Sequence, residues 1–184
     1  MIILASKSPR RIELLQSLGL NFKIEVSEID EEKFYHKDAK ELNKILAIEK
    51  AKAVAKNNPN DIVIGSDTIV TINNKILGKP KNKDEARLMI KALSNNTHEV
   101  VTSICIIKDN NIVTETSVSK VSFYEISNEE IENYIGTDEP YDKAGGYAIQ
   151  GDFGKKFIRN IDGDFYSIMG FPIARVYHLL KELM

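Results

Sequence analysis

Short apolar runs and helix-period patterns alternate along the chain, with turn residues between them. Ile2-Ile3-Leu4-Ala5 reads as a buried strand. Ser8 follows as a helix cap with Pro9 in the first helical position, where a missing N–H costs nothing. Ile12, Leu15 and Leu18 then share one face, and Gly19 closes the helix. Phe22 to Val26 alternates like a strand, and residues 39–57 carry Leu42, Ile45, Leu46, Lys50 and Ala53 near helical spacing. A second buried strand, Ile62-Val63-Ile64, is expected to stop at Gly65-Ser66-Asp67-Thr68.

Ile69 to Ile72 and Ile76-Leu77 form a hairpin pattern turned at Asn73-Asn74, and Asp84 to Leu93 reads as a helix. Strands over Val100 to Ile107 and Ile112 to Tyr124 flank a second hairpin signal, Asp109-Asn110-Asn111. Ser127-Asn128-Glu129-Glu130 is a capping-box pattern for a helix ending near Gly136. After the glycine-rich stretch Ala144 to Gly154, Phe157-Ile158 and Phe165 to Ile168 read as short strands, and Pro172 opens a terminal helix. Helix-linked strands together with hairpins predict an α/β fold with a mixed sheet flanked by helices.

Composition narrows the class. With 184 residues, the chain is one domain or two closely joined lobes, able to bury about 70% of its unfolded surface. Twenty-five basic and 27 acidic side chains leave a net charge of −2, no global field for nucleic acid or an anionic membrane. No apolar stretch approaches the roughly 20 residues of a membrane span. The opening residues lack a basic leader, and Cys105 has no partner for an internal disulfide, so a cytoplasmic globule is expected.

Ser6-Lys7-Ser8-Pro9-Arg10-Arg11 lies between a strand and a helix start. Helix-end amides favour anions, and two arginines add planar donors suited to phosphate, whereas a purely structural helix start favours Asp or Glu. Asp67, at a strand end, is either a metal-holding or proton-accepting carboxylate or a turn residue bonding its own backbone. The acidic run Glu28, Asp30, Glu31, Glu32 is a solvated face that could lend a second carboxylate. Lys79 sits between Gly78 and Pro80, either aimed at a phosphate or exposed on a turn. Lys50 lies among apolar helix positions, so it either snorkels outward or reaches a cleft. Asp142 to Gly151 packs three glycines with Gln150, which offers both donor and acceptor to a base edge. His36, His98 and His178 show no metal-like pairing, Cys105 falls in an apolar strand, and Ser6 and Ser8 lack a His/Asp partnership. Chemistry on bound water fits better than a nucleophilic triad.

Taken together, these motifs resemble the Maf nucleoside triphosphate pyrophosphatases, known also as septum-formation inhibitor proteins. Ser6-Lys7-Ser8-Pro9-Arg10-Arg11 is similar to the family's S-x-S-P-R-R, and Gly65-Ser66-Asp67-Thr68 to its G-[AS]-D-T. Gly78-Lys79-Pro80, Asp142-Lys143-Ala144-Gly145 with Ile149-Gln150-Gly151, and Ser167-Ile168-Met169-Gly170-Phe171-Pro172 follow in the family's order. Gly146-Tyr147-Ala148 stands for the frequent A-Y-G, and Phe171 for the usual leucine before proline.

The resemblance implies two lobes of one domain, residues 1–184, around a deep nucleotide-binding groove, as in the Maf/ITPase-like fold. It implies hydrolysis of a triphosphate between its α and β phosphates with a divalent metal, Mg or Mn. The family's general base falls on Asp67 and its acidic metal partner on Glu31, with Asp67 also a metal ligand. Its phosphate-binding positions fall on Arg11, Lys50 and Lys79, with Ser8 beside them at the helix start. The specificity positions of the dTTP/UTP branch fall on Arg10, Thr68 and Gln150. The family is commonly dimeric, which leaves a homodimer open, and neither nucleic acid nor membrane is an expected partner. Two other readings share part of this pattern: a nucleotide-responsive binding protein in cell-division control, and a pyrophosphatase for modified nucleotides.

Overall fold

A computed structural model describes residues 1–109 and 111–184. Its elements run β1 (Ile2–Leu4), α1 (Pro9–Gln16), β2 (Phe22–Ile24), α2 (Ala39–Ala55), β3 (Ile62–Ile72), β4 (Lys75–Leu77), α3 (Lys83–Leu93), β5 (Thr97–Lys108) and β6 (Asn111–Phe123). Then come α4 (Asn128–Ile135), α5 (Asp152–Phe157), β7 (Ile158–Asp162), α6 (Phe165–Met169) and α7 (Ile173–Leu183). The sheet order is β2-β1-β3-β5-β6-β7, with β4 paired to β3. β1 lies parallel to β2 and β3, in register Ile2↔Ile62 and Leu4↔Ile64, whereas β4 on β3 and β7 on β6 are antiparallel. This is the mixed sheet flanked by helices that the pattern predicted.

The chain divides into two compact units: Met1–Thr68 with Thr102–Ser117 and Gly170–Met184, and Ile69–Val101 with Val118–Met169. In the first, Ala47, Ala51 and Val54 of α2 bury against Ile3, Val63 and Cys105. In the second, Val70, Ile90, Leu93, Phe123, Ile131 and Phe153 form the core.

Several local signals act as their chemistry dictates. Asn73 and Asn74 take positive φ (50° and 61°) between β3 and β4, as a tight hairpin requires. Ser127 and Glu130 form both halves of the capping box on α4. Asn82, not singled out by its sequence, caps α3 through Glu85 N. The turn expected at Asp109-Asn110-Asn111 includes Asn110, which lies outside the described residues.

Three expectations are corrected. The strand does not stop at Gly65-Ser66-Asp67-Thr68: β3 runs unbroken from Ile62 to Ile72. Polar residues survive inside it because each finds a partner, Ser66 Oγ donating to Gly170 O at 3.2 Å and Thr68 Oγ1 meeting Thr102 Oγ1 at 3.0 Å. Phe165 to Ile168 is helix, not strand, because Asp164 accepts from the N–H groups of Tyr166 and Ser167 and so caps α6. Phe157 closes α5, and the strand starts only at Ile158.

Candidate active site

Asp67 sits in mid-strand with 7% of its surface exposed, and its carboxylate is held from α2. Lys50 Nζ donates to Oδ1 at 2.6 Å, and Asn43 Nδ2 donates to Oδ2 at 2.9 Å. The turn-aspartate alternative is thereby excluded. Asn43 and Lys50 are two helical turns apart, on the stripe that also buries Leu46, Ala47 and Ala51, so the strand and this stripe face each other. Gly65 makes that approach possible, since a Cβ there would lie 2.7 Å from Ala51 N. The Lys50 ammonium also meets Glu31 Oε1 at 2.9 Å. One largely buried cation thus bridges the buried Asp67 and the exposed Glu31, the first residue of a 3₁₀ turn over Glu31–Lys33.

Arg11 is fixed by a second set of bonds. Its Nε donates to Gly170 O (2.9 Å), Nη1 to Ser66 O (2.9 Å) and Ser6 Oγ (3.3 Å), and Nη2 to Thr68 Oγ1 (3.1 Å). Four of its five N–H groups are committed, which leaves one for a ligand. Burial lowers the Arg11 pKa, the Asp67 charge opposes that shift, and Arg10 adds to it. Gly170, at φ 115°, lets the main chain pass close, since a Cβ would sit 3.3 Å from Thr68 Oγ1.

Ser8 stands at the N-cap of α1 in an extended conformation, but its hydroxyl makes no capping bond. The first-turn amides therefore lack the expected side-chain cap, and Ser8 N donates instead to Ser6 Oγ at 3.2 Å. Arg10 is half-exposed, with no hydrogen bond or ion pair among the described residues. The first unit therefore joins Asp67, Lys50 and Glu31 by direct contact and Arg11 to Thr68 by another, with Ser8 and Arg10 on the helix start that carries Arg11.

Lys79 and Gln150 belong to the second unit. Their two loops are tied together there by Gly145 N donating to Gly78 O at 3.0 Å. Gly145 takes φ 72°, and a Cβ on it would press Val70 Cγ1 at 3.0 Å. Lys79 is exposed, and Gln150 Oε1 is buried without a partner among the described residues.

Asn43 was missed by sequence reasoning. The available signal was a polar residue seven positions before Lys50 on a stripe of Leu and Ala, where an amide is costly unless it is bonded. Its Oδ1 is fully buried and has no partner among the described residues. That orphan bears on the metal that the resemblance implies. Two carboxylates gathered on one cation, beside an unpaired amide oxygen, make a hard oxygen set of the kind that suits Mg²⁺ or Mn²⁺. No group of three or more His, Cys, Asp or Glu is placed to hold a metal among the described residues, so further oxygens would come from water and phosphate, the usual arrangement for Mg²⁺. The residues fit such an ion.

The histidines play no part here: His36 and His178 are exposed, and His98 is buried in the second unit. Burial pushes the Cys105 thiol up to about 12, which keeps it inert.

Comparison with known proteins agrees with the motif series. A dTTP/UTP pyrophosphatase of Bacillus cereus (strain ATCC 14579) is 49% identical over 181 residues, 98% of this chain and 94% of that protein. One from Bacillus anthracis (strain CDC 684) is 48% identical over the same shares of both chains. Among solved structures, a HAM1 protein from Coxiella burnetii aligns with a TM-score of 0.47 and 19% identity, covering 66% of this chain and 72% of that one. The family described as Maf-like protein matches residues 1–183, and the chain belongs to it.

Proposed function

We propose that this chain is a nucleoside triphosphate pyrophosphatase that hydrolyses dTTP and UTP to the monophosphate and pyrophosphate, acting as one domain of two lobes. The observation that carries the reading is the buried Asp67 carboxylate, held by Asn43 and Lys50 in the middle of a strand. A carboxylate offers about four acceptor sites, and the two hydrogen bonds described here leave room for a water. Asp67 takes that water's proton as its oxygen attacks the α phosphorus; the bond to the α–β bridging oxygen breaks and pyrophosphate leaves with that oxygen.

Fixed charge does the rest. Phosphoryl-group hydrolysis depends on positioning and neutralisation more than on covalent help, so pre-oriented cations are the main requirement. Ser8, Arg11, Lys50 and Lys79 are assigned to the phosphates. Arg11 is locked by its four other bonds and offers its last N–H without reorganising. Arg10, Thr68 and Gln150 are assigned to the base, Gln150 through a buried acceptor that has no partner among the described residues. Asp67 and Glu31 are the residues that would hold a divalent cation; such an ion neutralises phosphate charge and lowers the pKa of a bound water. The relatives named above are dTTP/UTP pyrophosphatases along nearly their whole length, which supports the same substrates here.

The reading includes a cytoplasmic location, a homodimer as in the family at large, and no nucleic-acid or membrane partner. No helix among the described residues is long and apolar enough to cross a membrane. The test is pyrophosphate release from dTTP, UTP, CTP and GTP with Mg²⁺. Turnover of dTTP and UTP well above CTP and GTP is expected. Binding without release from any of the four, or equal release from all, overturns the reading.

A further inference from the structure

The second unit contains a buried polar pair that no step of the hydrolysis uses. His98, 1% exposed, places Nε2 at 2.6 Å from the hydroxyl of the buried Tyr147. Burial lowers the His98 pKa to about 4 and raises that of Tyr147, so this is a neutral hydrogen bond near pH 7. His98 Nδ1 has no partner among the described residues. A neutral imidazole and a phenol bring two polar hydrogens, and the contact uses one. The other is left over in a core, which costs stability that two apolar side chains of similar shape would not lose. Packing does not require the polar atoms either. Both rings lie edge-on to Phe123, at centroid distances of 5.3 and 4.8 Å, contacts that apolar rings make equally well.

What the pair does hold is a segment. Tyr147 follows Gly145 and Gly146, both at positive φ (72° and 76°), and precedes Gln150 by three residues. Tyr134 Oη donates to Gly146 O at 2.8 Å, and Gly145 N donates to Gly78 O next to Lys79. Two consecutive glycines in left-handed conformations give this backbone many alternatives, so something beyond local preference has to select one. The ring of Tyr147, pinned at its far end by His98, is a polar anchor of this segment, and the buried Ile149 carries its hold on to Gln150.

We propose that the His98–Tyr147 hydrogen bond positions the 145–150 segment for substrate selection, setting where Gln150 meets the pyrimidine and where the linked Gly78-Lys79 turn meets phosphate. His98 and Tyr147 are positioning residues, acting through Gln150. The inference rests on the dTTP/UTP reading above and deepens it.

The test is a double-mutant cycle of Tyr147→Phe and Gln150→Ala, with kcat and KM measured for dTTP and CTP. Tyr147→Phe raises the KM for dTTP about tenfold, keeps kcat within about threefold, and cuts the dTTP-over-CTP preference about tenfold. In the Gln150→Ala background the same substitution changes the preference no further, because the residue it acts through is gone. The double variant His98→Leu with Tyr147→Phe, which removes both polar groups, melts at or above wild type. His98→Gln, which keeps an N–H for the Tyr147 hydroxyl, retains more preference than His98→Leu. An unchanged KM and preference in Tyr147→Phe, an equal loss with and without Gln150, or a double variant that melts below wild type each overturns the proposal. If wild type releases no pyrophosphate, it is the functional reading that fails. The pair is then tested by equilibrium binding, where Tyr147→Phe must weaken dTTP about tenfold relative to CTP or the proposal falls with it.

Discussion

Replacing Gly65 by Ala tests how the Asp67 carboxylate is held in place. A Cβ at position 65 would lie 2.7 Å from Ala51 N and 2.9 Å from Ala51 Cβ, and closer still to the carbonyl oxygen of Ala47. All three belong to α2, and none is the end of a flexible side chain that could swing away. Ordinary contact between such atoms needs roughly 3.5–4 Å, so α2 must retreat from β3 by about 1 Å. Overpacking of this kind costs about 1–3 kcal/mol, or a melting temperature lower by roughly 2–12 °C for a chain of this length. The functional loss exceeds the loss of stability, because α2 also carries both groups that hold Asp67. A retreat of about 1 Å opens the 2.6 Å Lys50 and 2.9 Å Asn43 contacts beyond hydrogen-bonding range, and misplacement on that scale can lower turnover about a hundredfold. Urea unfolding together with kcat for dTTP at a temperature where Gly65→Ala is folded measures both effects. A variant that melts and turns over like wild type refutes the argument that close helix–strand approach builds the site.

Two further outcomes follow from buried groups. The His98 pKa falls from 6.5 in the free side chain to about 4 in the fold, so the unfolded chain binds the proton more readily between those values. Stability therefore drops as pH falls from about 6.5 towards 4, by about 3 kcal/mol from this group alone. His98→Gln removes that component, and urea midpoints at pH 7 and pH 4.5 that shift equally in both proteins contradict it. Arg11→Lys replaces a planar four-bond donor by an ammonium with three donors. At least one of the four bonds that Arg11 makes to Ser6 Oγ, Ser66 O, Thr68 Oγ1 and Gly170 O is then lost, at about 1.5–3 kcal/mol for a bond from a charged donor, read as a lower denaturant midpoint. An unchanged midpoint counts against the Arg11 bonds as described.

Much of the fold was legible because its determinants are local. The spacing along α2, the paired asparagines 73 and 74, and the Ser127–Glu130 box each act within a few residues, and each produces the element it predicts. Gly65-Ser66-Asp67-Thr68 misled for the opposite reason. Its composition is that of a turn, but what keeps it in β3 comes from afar: Gly170 is 104 residues from Ser66, and Asn43 is 24 from Asp67. Residues 165–168 misled similarly, since aromatic and apolar letters suit a strand while the decisive feature is Asp164 just before them, capping α6. The site residues were chosen by motif resemblance. Their contacts with one another, above all Lys50 between Asp67 and Glu31, are tertiary and have no trace in spacing. Asn43 lay outside every motif, visible only as an amide on an apolar stripe.

The central claim is that water attacks the α phosphorus with Asp67 as base. Turnover of dTTP in ¹⁸O-labelled water, with the products resolved by mass spectrometry for wild type and Asp67→Asn, tests it directly. The account predicts label in the monophosphate and none in pyrophosphate, with turnover lost in a folded Asp67→Asn. Label in the pyrophosphate, or an Asp67→Asn variant that turns over like wild type, would contradict it.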